Sequence, residues 1–139
     1  MPQVLRLPLT PFQPGSPEHP VVLDVTTSVD AAIRNLHHSR RPFILAKEGD
    51  RIVGIWTRLD ALQAIASQAS AKGLDLRDVL TQDLAVFPVK SLQDPFLVGQ
   101  FMRERQLEHL ACIDDYGDIV GILSSTQLAQ VLPTLLPLK

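Results

Sequence analysis

The sequence predicts an α+β protein made of two copies of a strand–helix–strand–strand–helix unit. Three observations carry that expectation. First, residues 51–60 read R-I-V-G-I-W-T-R-L-D and residues 118–127 read D-I-V-G-I-L-S-S-T-Q. One offset of 67 residues superimposes Ile52 on Ile119, Val53 on Val120, Gly54 on Gly121, Ile55 on Ile122 and Thr57 on Ser124, and self-similarity at a fixed spacing marks a duplicated architecture. Second, an apolar run and a polar turn precede each copy: Phe43-Ile44-Leu45-Ala46 before Lys47 to Asp50, and Leu110-Ala111-Cys112-Ile113 before Asp114 to Gly117. Short β-type runs joined by a glycine-containing turn predict a hairpin. Third, apolar residues at helical spacing flank both hairpins.

Taken in order, Val21 to Val25 opens the first copy as a strand. Val29, Ala32, Ile33 and Leu36 then form one helical stripe, with Ser28 as its N-cap. After the hairpin, Leu59, Leu62, Ile65 and Ala69 predict a second helix that stops at Gly73, after Lys72. Residues 74–80 read as a short helical turn that links the copies. The second copy starts with a strand from Ala85 to Val89. Its first helix starts near Asp94, with Pro95 at the first helical position, and contains Phe101 and Met102. Its last helix carries Leu128, Val131 and Leu132 and is ended by Pro133.

A unit of roughly 55 residues is marginal alone. Two such units packed sheet to sheet, with helices outside and a pseudo-twofold axis between them, would bury both sheet faces. The expected layout is a lead-in over 1–19, a first repeat over 20–76, a second over 77–133, and a tail or linker start over 134–139. The lead-in has prolines at positions 2, 8, 11, 14, 17 and 20. From Pro8 onward their spacing of three matches a polyproline II turn. A stiff arm packed on the domain, offering at most an edge strand, is the plain reading; a ligand for an aromatic groove is the other.

Bulk properties exclude several function classes. The 139 residues are 45% apolar with a net charge of −2, and no block of like charge suggests nucleic-acid or membrane binding. Arg34, Arg40, Arg41 and Lys47 form only a weak basic cluster. The single cysteine, Cys112, lies in an apolar run, so it reads as a buried structural thiol in a cytoplasmic protein. No run of about 18 apolar residues or signal-type start is present. His37 and His38 are adjacent and face apart on a helix, which suits no shared metal. Asp114, Asp115 and Asp118 sit in a turn too short for a calcium loop. Trp56 is expected to pack in a core or interface, facing away from Ile55. No nucleophile-elbow, zinc-protease or P-loop pattern occurs, so no catalytic set and no metal site are expected.

The chemistry concentrates where each hairpin runs into its helix. Thr57 and Ser124 stand at helix N-termini, whose free N–H groups and positive dipole end suit anions. Thr57 could offer a hydroxyl to a phosphate, Arg58 could add charge, and Asp60 could accept hydrogen bonds from a ribose diol, as acidic residues do in dinucleotide folds. A structural role competes with this one. Thr57 to Asp60 resembles a capping box, and Ser124 to Gln127 satisfies its usual Ser-x-x-Gln form. A carboxylate folded back onto the cap would be less free for a ribose. The copies differ here, because Gln127 keeps the cap and loses the carboxylate.

The twice-repeated unit, with Gly54-Ile55-Trp56-Thr57-Arg58-Leu59-Asp60 and Gly121-Ile122-Leu123-Ser124-Ser125-Thr126-Gln127 closing the hairpins, resembles the CBS domain family. Two in tandem resemble a Bateman module over about residues 16–133. That resemblance implies clefts that bind AMP, ADP, ATP or S-adenosylmethionine, and in some members cyclic di-AMP, with no cofactor required. It implies a first nucleotide site of Ile55, Thr57, Arg58 and Asp60, with Arg41 (and more weakly Arg40) near the phosphate and Thr81, Leu84 and Ala85 around the base. The counterpart site has Ile122, Ser124 and Gln127 and departs from the family at the final acid. Homodimers are common in the family. The expected function is therefore a nucleotide-sensing regulatory module without catalysis. The alternatives are a ligand-free dimerisation module and the N-terminal regulatory piece of a larger signalling protein or enzyme with its own output domain.

Overall fold

Local chemistry sets each element boundary in the computed structural model, which describes residues 9–12, 19–69, 71–80, 84–131 and 133. In chain order the elements are β1 (Thr10–Pro11), β2 (Val21–Asp24), α1 (Val29–Ser39), β3 (Phe43–Glu48), β4 (Arg51–Thr57), α2 (Arg58–Ala66), α3 (Leu76–Val79), β5 (Val86–Pro88), a 3-10 turn (Val89–Gln93), α4 (Pro95–Arg105), β6 (His109–Ile113), β7 (Ile119–Ser124) and α5 (Ser125–Val131). The fold is α+β, with two sheets and their helices. Most of the polyproline arm (Pro2, Pro8, Pro14 and Pro17), Thr81, Leu132 and the tail 134–139 lie outside the described residues.

Two compact units emerge. One is Pro20–Leu84; the other joins the chain from Ala85 to the N-terminal arm. In the first, the sheet order is β2-β3-β4. β2 lies parallel to β3, and β3 runs antiparallel to β4. Parallel neighbours need a crossover, which α1 supplies. Ser28 caps α1 by accepting from the Ala31 N–H at 3.1 Å, as its sequence position predicts. Gly49 turns the hairpin at φ +64°, a left-handed conformation that glycine takes without steric cost. The core gathers Val29, Ala32 and Leu36 of α1, Ile44 of β3, Trp56 of β4, and Leu76 of α3. Trp56 faces Ile44 across the hairpin and is 1% exposed, so it is a core residue.

The second unit repeats this plan. Its sheet order is β1-β7-β6-β5. β5 lies parallel to β6 with α4 as the crossover, and β6 pairs antiparallel with β7. A register shift interrupts the two hairpins at corresponding places, after Ala46 and after Cys112. Asp94 caps α4 by accepting from the Phe96 and Leu97 N–H groups, with Pro95 in the first turn. Cys112 is fully buried beside Leu110, Leu123 and Met102. Burial pushes its thiol up to about 11, from 9.0. The addition to the plan is β1, which pairs antiparallel with β7 through Thr10↔Ile122 and Pro11↔Gly121. The arm thus supplies an edge strand.

The structure corrects three expectations. α2 ends at Ala66, well before Gly73, because Gln68 turns left-handed and redirects the chain. Its inward face is Ala61 and Ala64, whereas Leu59, Leu62 and Ile65 are 55%, 62% and 55% exposed. Small side chains let a helix lie close to its sheet, and the leucines then take the outer face. Finally, the strand expected over Ala85 to Val89 contracts to Val86–Pro88, because Val89 already begins the 3-10 turn.

Candidate functional site

The β4–α2 junction brings the first motif together. Thr57 ends the strand in extended conformation and becomes the N-cap of α2. Its backbone N–H donates to Asp60 Oδ2 at 2.8 Å, and its hydroxyl donates to the same oxygen at 3.1 Å. The Asp60 N–H in turn donates to Thr57 Oγ1 at 3.3 Å. This is a complete capping box. Both donors from Thr57 converge on Oδ2, and Oδ1 has no partner among the described residues. The expected conflict between capping and ligand binding is therefore smaller than the sequence implied: one oxygen holds the cap, and the other has no partner among the described residues.

Ile55 is half-buried on the strand, and Arg58 is exposed in the first turn of α2. Arg41 lies two residues before Phe43, whose register partner is Thr57, so Arg41 sits at the same end of the sheet as the cap. Arg58 also reaches a groove of about 740 Å³ between α1 and α2, floored by Ile33, Leu36, Ala61 and Leu62 and rimmed by Arg40. Neither Arg40, Arg41 nor Arg58 forms an ion pair among the described residues, unlike Arg34, which pairs with Asp30. Leu84 closes the first compact unit and Ala85 opens the second, where its carbonyl accepts from the Ala111 N–H at 2.9 Å. Thr81 lies outside the described residues.

The second motif has the same cap with different chemistry. The Ser124 N–H donates to Gln127 Oε1 at 2.8 Å, and the Gln127 N–H donates to Ser124 Oγ at 3.0 Å. The other amide atom, Nε2, donates to Thr10 Oγ1 of the arm at 3.3 Å. Ile122 is fully buried, whereas its counterpart Ile55 is only half-buried. Sequence reasoning missed Thr10. Among the described residues, no group of three or more His, Cys, Asp or Glu side chains could hold a metal ion. None of their helices is long and apolar enough to cross a membrane. His37 and His38 touch only edge to face, at 5.5 Å.

Residues 17–67 match the CBS domain family. That segment is similar to a CBS domain. It is similar to an uncharacterized protein, MK0525, of Methanopyrus kandleri, at 26% identity over 112 residues that cover 78% of this chain and 55% of that protein. It is also 37% identical over 90 residues to a homoserine O-acetyltransferase of Methanohalophilus mahii, covering 64% of this chain and 17% of the relative. The chain thus spans about half of the first relative and a small part of the second. Among solved structures, CBSX2 in complex with AMP aligns with a TM-score of 0.66 at 18% identity, over 91% of this chain and 93% of that one. The cytosolic domain of the Mg²⁺ channel MgtE in complex with ATP aligns with a TM-score of 0.62 at 17% identity, over 81% and 45%. At such identities the likeness is one of fold, and that fold is a CBS pair.

Proposed function

We propose that this CBS pair is a regulatory module that binds an adenosine nucleotide at Thr57 and Asp60 and reports it by a change of conformation or dimer packing, without chemistry of its own. The observation that carries the reading is the Oδ1 of Asp60, which has no partner among the described residues and is held at a helix N-terminus by a cap that uses Oδ2. A ribose diol donates naturally to such an oxygen, and a charge-assisted hydrogen bond contributes about 1.5–3 kcal/mol net. Arg41 and Arg58 serve the phosphate, and Ile55, Thr81 and Leu84 the base. Two fold relatives were solved with AMP and ATP, which supports this ligand class. The repeats run over 20–76 and 77–133, and the module works in the cytoplasm. On this reading it acts as the sensing part of a larger protein or beside a separate effector.

Titration with AMP, ATP and S-adenosylmethionine tests the reading. A ligand that binds only the folded state stabilises it by RT ln(1 + [L]/Kd), about 2.7 kcal/mol at a hundredfold excess over Kd. The expected result is a rise in melting temperature with at least one of the three. No shift with any of them at millimolar concentration refutes the proposal.

A second reading, a dimerisation module without ligand, is favoured by the outward face of Leu59, Leu62 and Ile65 on α2. The titration above separates the two, but dimerisation itself is compatible with nucleotide binding. We take this face as the contact of a homodimer.

A further inference from the structure

We propose that the second motif is an internal docking site whose occupant is the chain's own N-terminal arm, so that each chain keeps one nucleotide site and not two. The part concerning nucleotide rests on the functional reading above; the docking of the arm does not.

The argument is a comparison of equivalent atoms. In both motifs the side chain three residues after the cap turns one oxygen back to the cap N–H: Asp60 Oδ2 to Thr57, and Gln127 Oε1 to Ser124. The remaining atom points onward in each case. At Asp60 that atom is Oδ1, which has no partner among the described residues. At Gln127 it is Nε2, and a hydroxyl already sits on it, that of Thr10. The Thr10 hydroxyl therefore stands at Gln127 where a ligand hydroxyl would stand at Asp60.

The backbone says the same. Ile55 is the strand residue offered to a base in the first motif. Its equivalent, Ile122, is the register partner of Thr10 and is fully buried. The Phe12 N–H extends the pairing by donating to the Val120 carbonyl at 3.2 Å. Leu9 lies so close to Gly121 that a Cβ there would meet Leu9 Cβ and Cδ1 at 3.0 Å. A glycine at this position is what lets the arm reach the strand. Past the pairing, the Phe12 ring rests on His19, with centroids 4.6 Å apart. Thus the arm covers the strand residue, the glycine and the outward amide of the second motif together.

Amide hydrogen exchange at Phe12 tests the docking without any ligand. Thr10→Val and Gln127→Ala should each speed that exchange roughly two- to tenfold, the range of one ordinary hydrogen bond. The double variant should be no faster than the worse single one, because both remove the same contact. Unchanged exchange, or effects that multiply, overturns the latch. Calorimetry with AMP then tests occupancy. Wild-type protein should saturate at one AMP per chain with Phe12 exchange unchanged, and binding of two overturns the proposal. Thr10→Val with Gln127→Asp, which loosens the arm and supplies a carboxylate, should take a second AMP while Phe12 exchange rises. A stoichiometry that stays at one in that variant overturns the claim that arm and ligand exclude each other. If no AMP binds to any form, the functional reading fails, and the exchange cycle alone decides the docking.

Discussion

Replacing Asp60 separates the two tasks of one carboxylate. In Asp60→Ala, α2 loses both bonds that Thr57 donates to Oδ2 and the capping box with them. Loss of a cap costs about 1 kcal/mol, which for a chain of this size lowers the melting temperature by roughly 3–5 °C. The same substitution removes Oδ1. If a ribose hydroxyl donates to it, the loss is about 1.5–3 kcal/mol of binding, or a Kd raised roughly 10- to 150-fold. Asp60→Asn should divide these effects. Its amide oxygen can still accept from Thr57, so the melting temperature of the free protein should stay near wild type. Its amide nitrogen replaces the charged acceptor, so AMP should still bind several-fold more weakly. Calorimetric titration with AMP and melting of the free protein provide the two measurements. An Asp60→Ala protein that melts lower but binds AMP with unchanged Kd would refute the reasoning and leave Asp60 as a cap only. Gln127→Ala is the control, and equal losses of binding from both substitutions would sink the assignment of the site.

Three further outcomes are expected. Leu62→Lys changes a side chain that is 62% exposed, so stability should move by no more than about 0.5 kcal/mol. Sedimentation should shift from dimer to monomer, and a variant that stays dimeric would remove this face from the interface. Cys112, with a thiol raised to about 11 in the folded state against 9.0 free, should add stability that is complete below pH 9 and is lost as the pH rises toward 11. The whole effect is about 2–3 kcal/mol, and urea unfolding of wild type against Cys112→Ala over that range should show the difference shrinking. Equal slopes would contradict it. Gly121→Ala puts a Cβ at 3.0 Å from Leu9 and should destabilise by about 1–3 kcal/mol. Leu9→Gly in the same chain removes both Cβ and Cδ1 and should relieve much of that cost, and no relief would mean that the strain lies elsewhere.

Features fixed by neighbours in sequence were legible before any coordinates. Ser28 and Asp94 cap their helices, Pro95 begins one, and Gly49 turns a hairpin, each for reasons contained within a few residues. The repeat itself predicted that the hairpin would reappear, whereas the register shift that both copies share is a finding of the structure. The face of α2 was not legible. In R-L-D-A-L-Q-A-I-A, leucine and isoleucine recur every three residues, and so does alanine one turn-phase away. Hydrophobicity favours the first set and close approach to a sheet favours the second. Only the packing decides between them, and it takes Ala61 and Ala64. The latch between Thr10 and Gln127 was hidden for another reason. The partners are 117 residues apart, and no local pattern ties a threonine between prolines to a glutamine in a distant helix.

The unequal motifs follow from how little the cap demands. A capping box needs one acceptor oxygen at the third helical position, and aspartate and glutamine both supply it. The second terminal atom is then uncoupled from the local fold. At position 60 it is an acceptor with no partner among the described residues; at position 127 it is a neutral donor with a hydroxyl on it. Two sites can thus share a backbone to within one offset of 67 residues and still differ in what they hold. A match to the motif reports the first atom, which builds the helix. What binds is decided by the second atom and by whichever segment of chain reaches it first. At the second motif that segment is the arm, already paired to β7. An incoming nucleotide would have to displace a strand there, whereas at the first motif it meets an oxygen without a partner among the described residues.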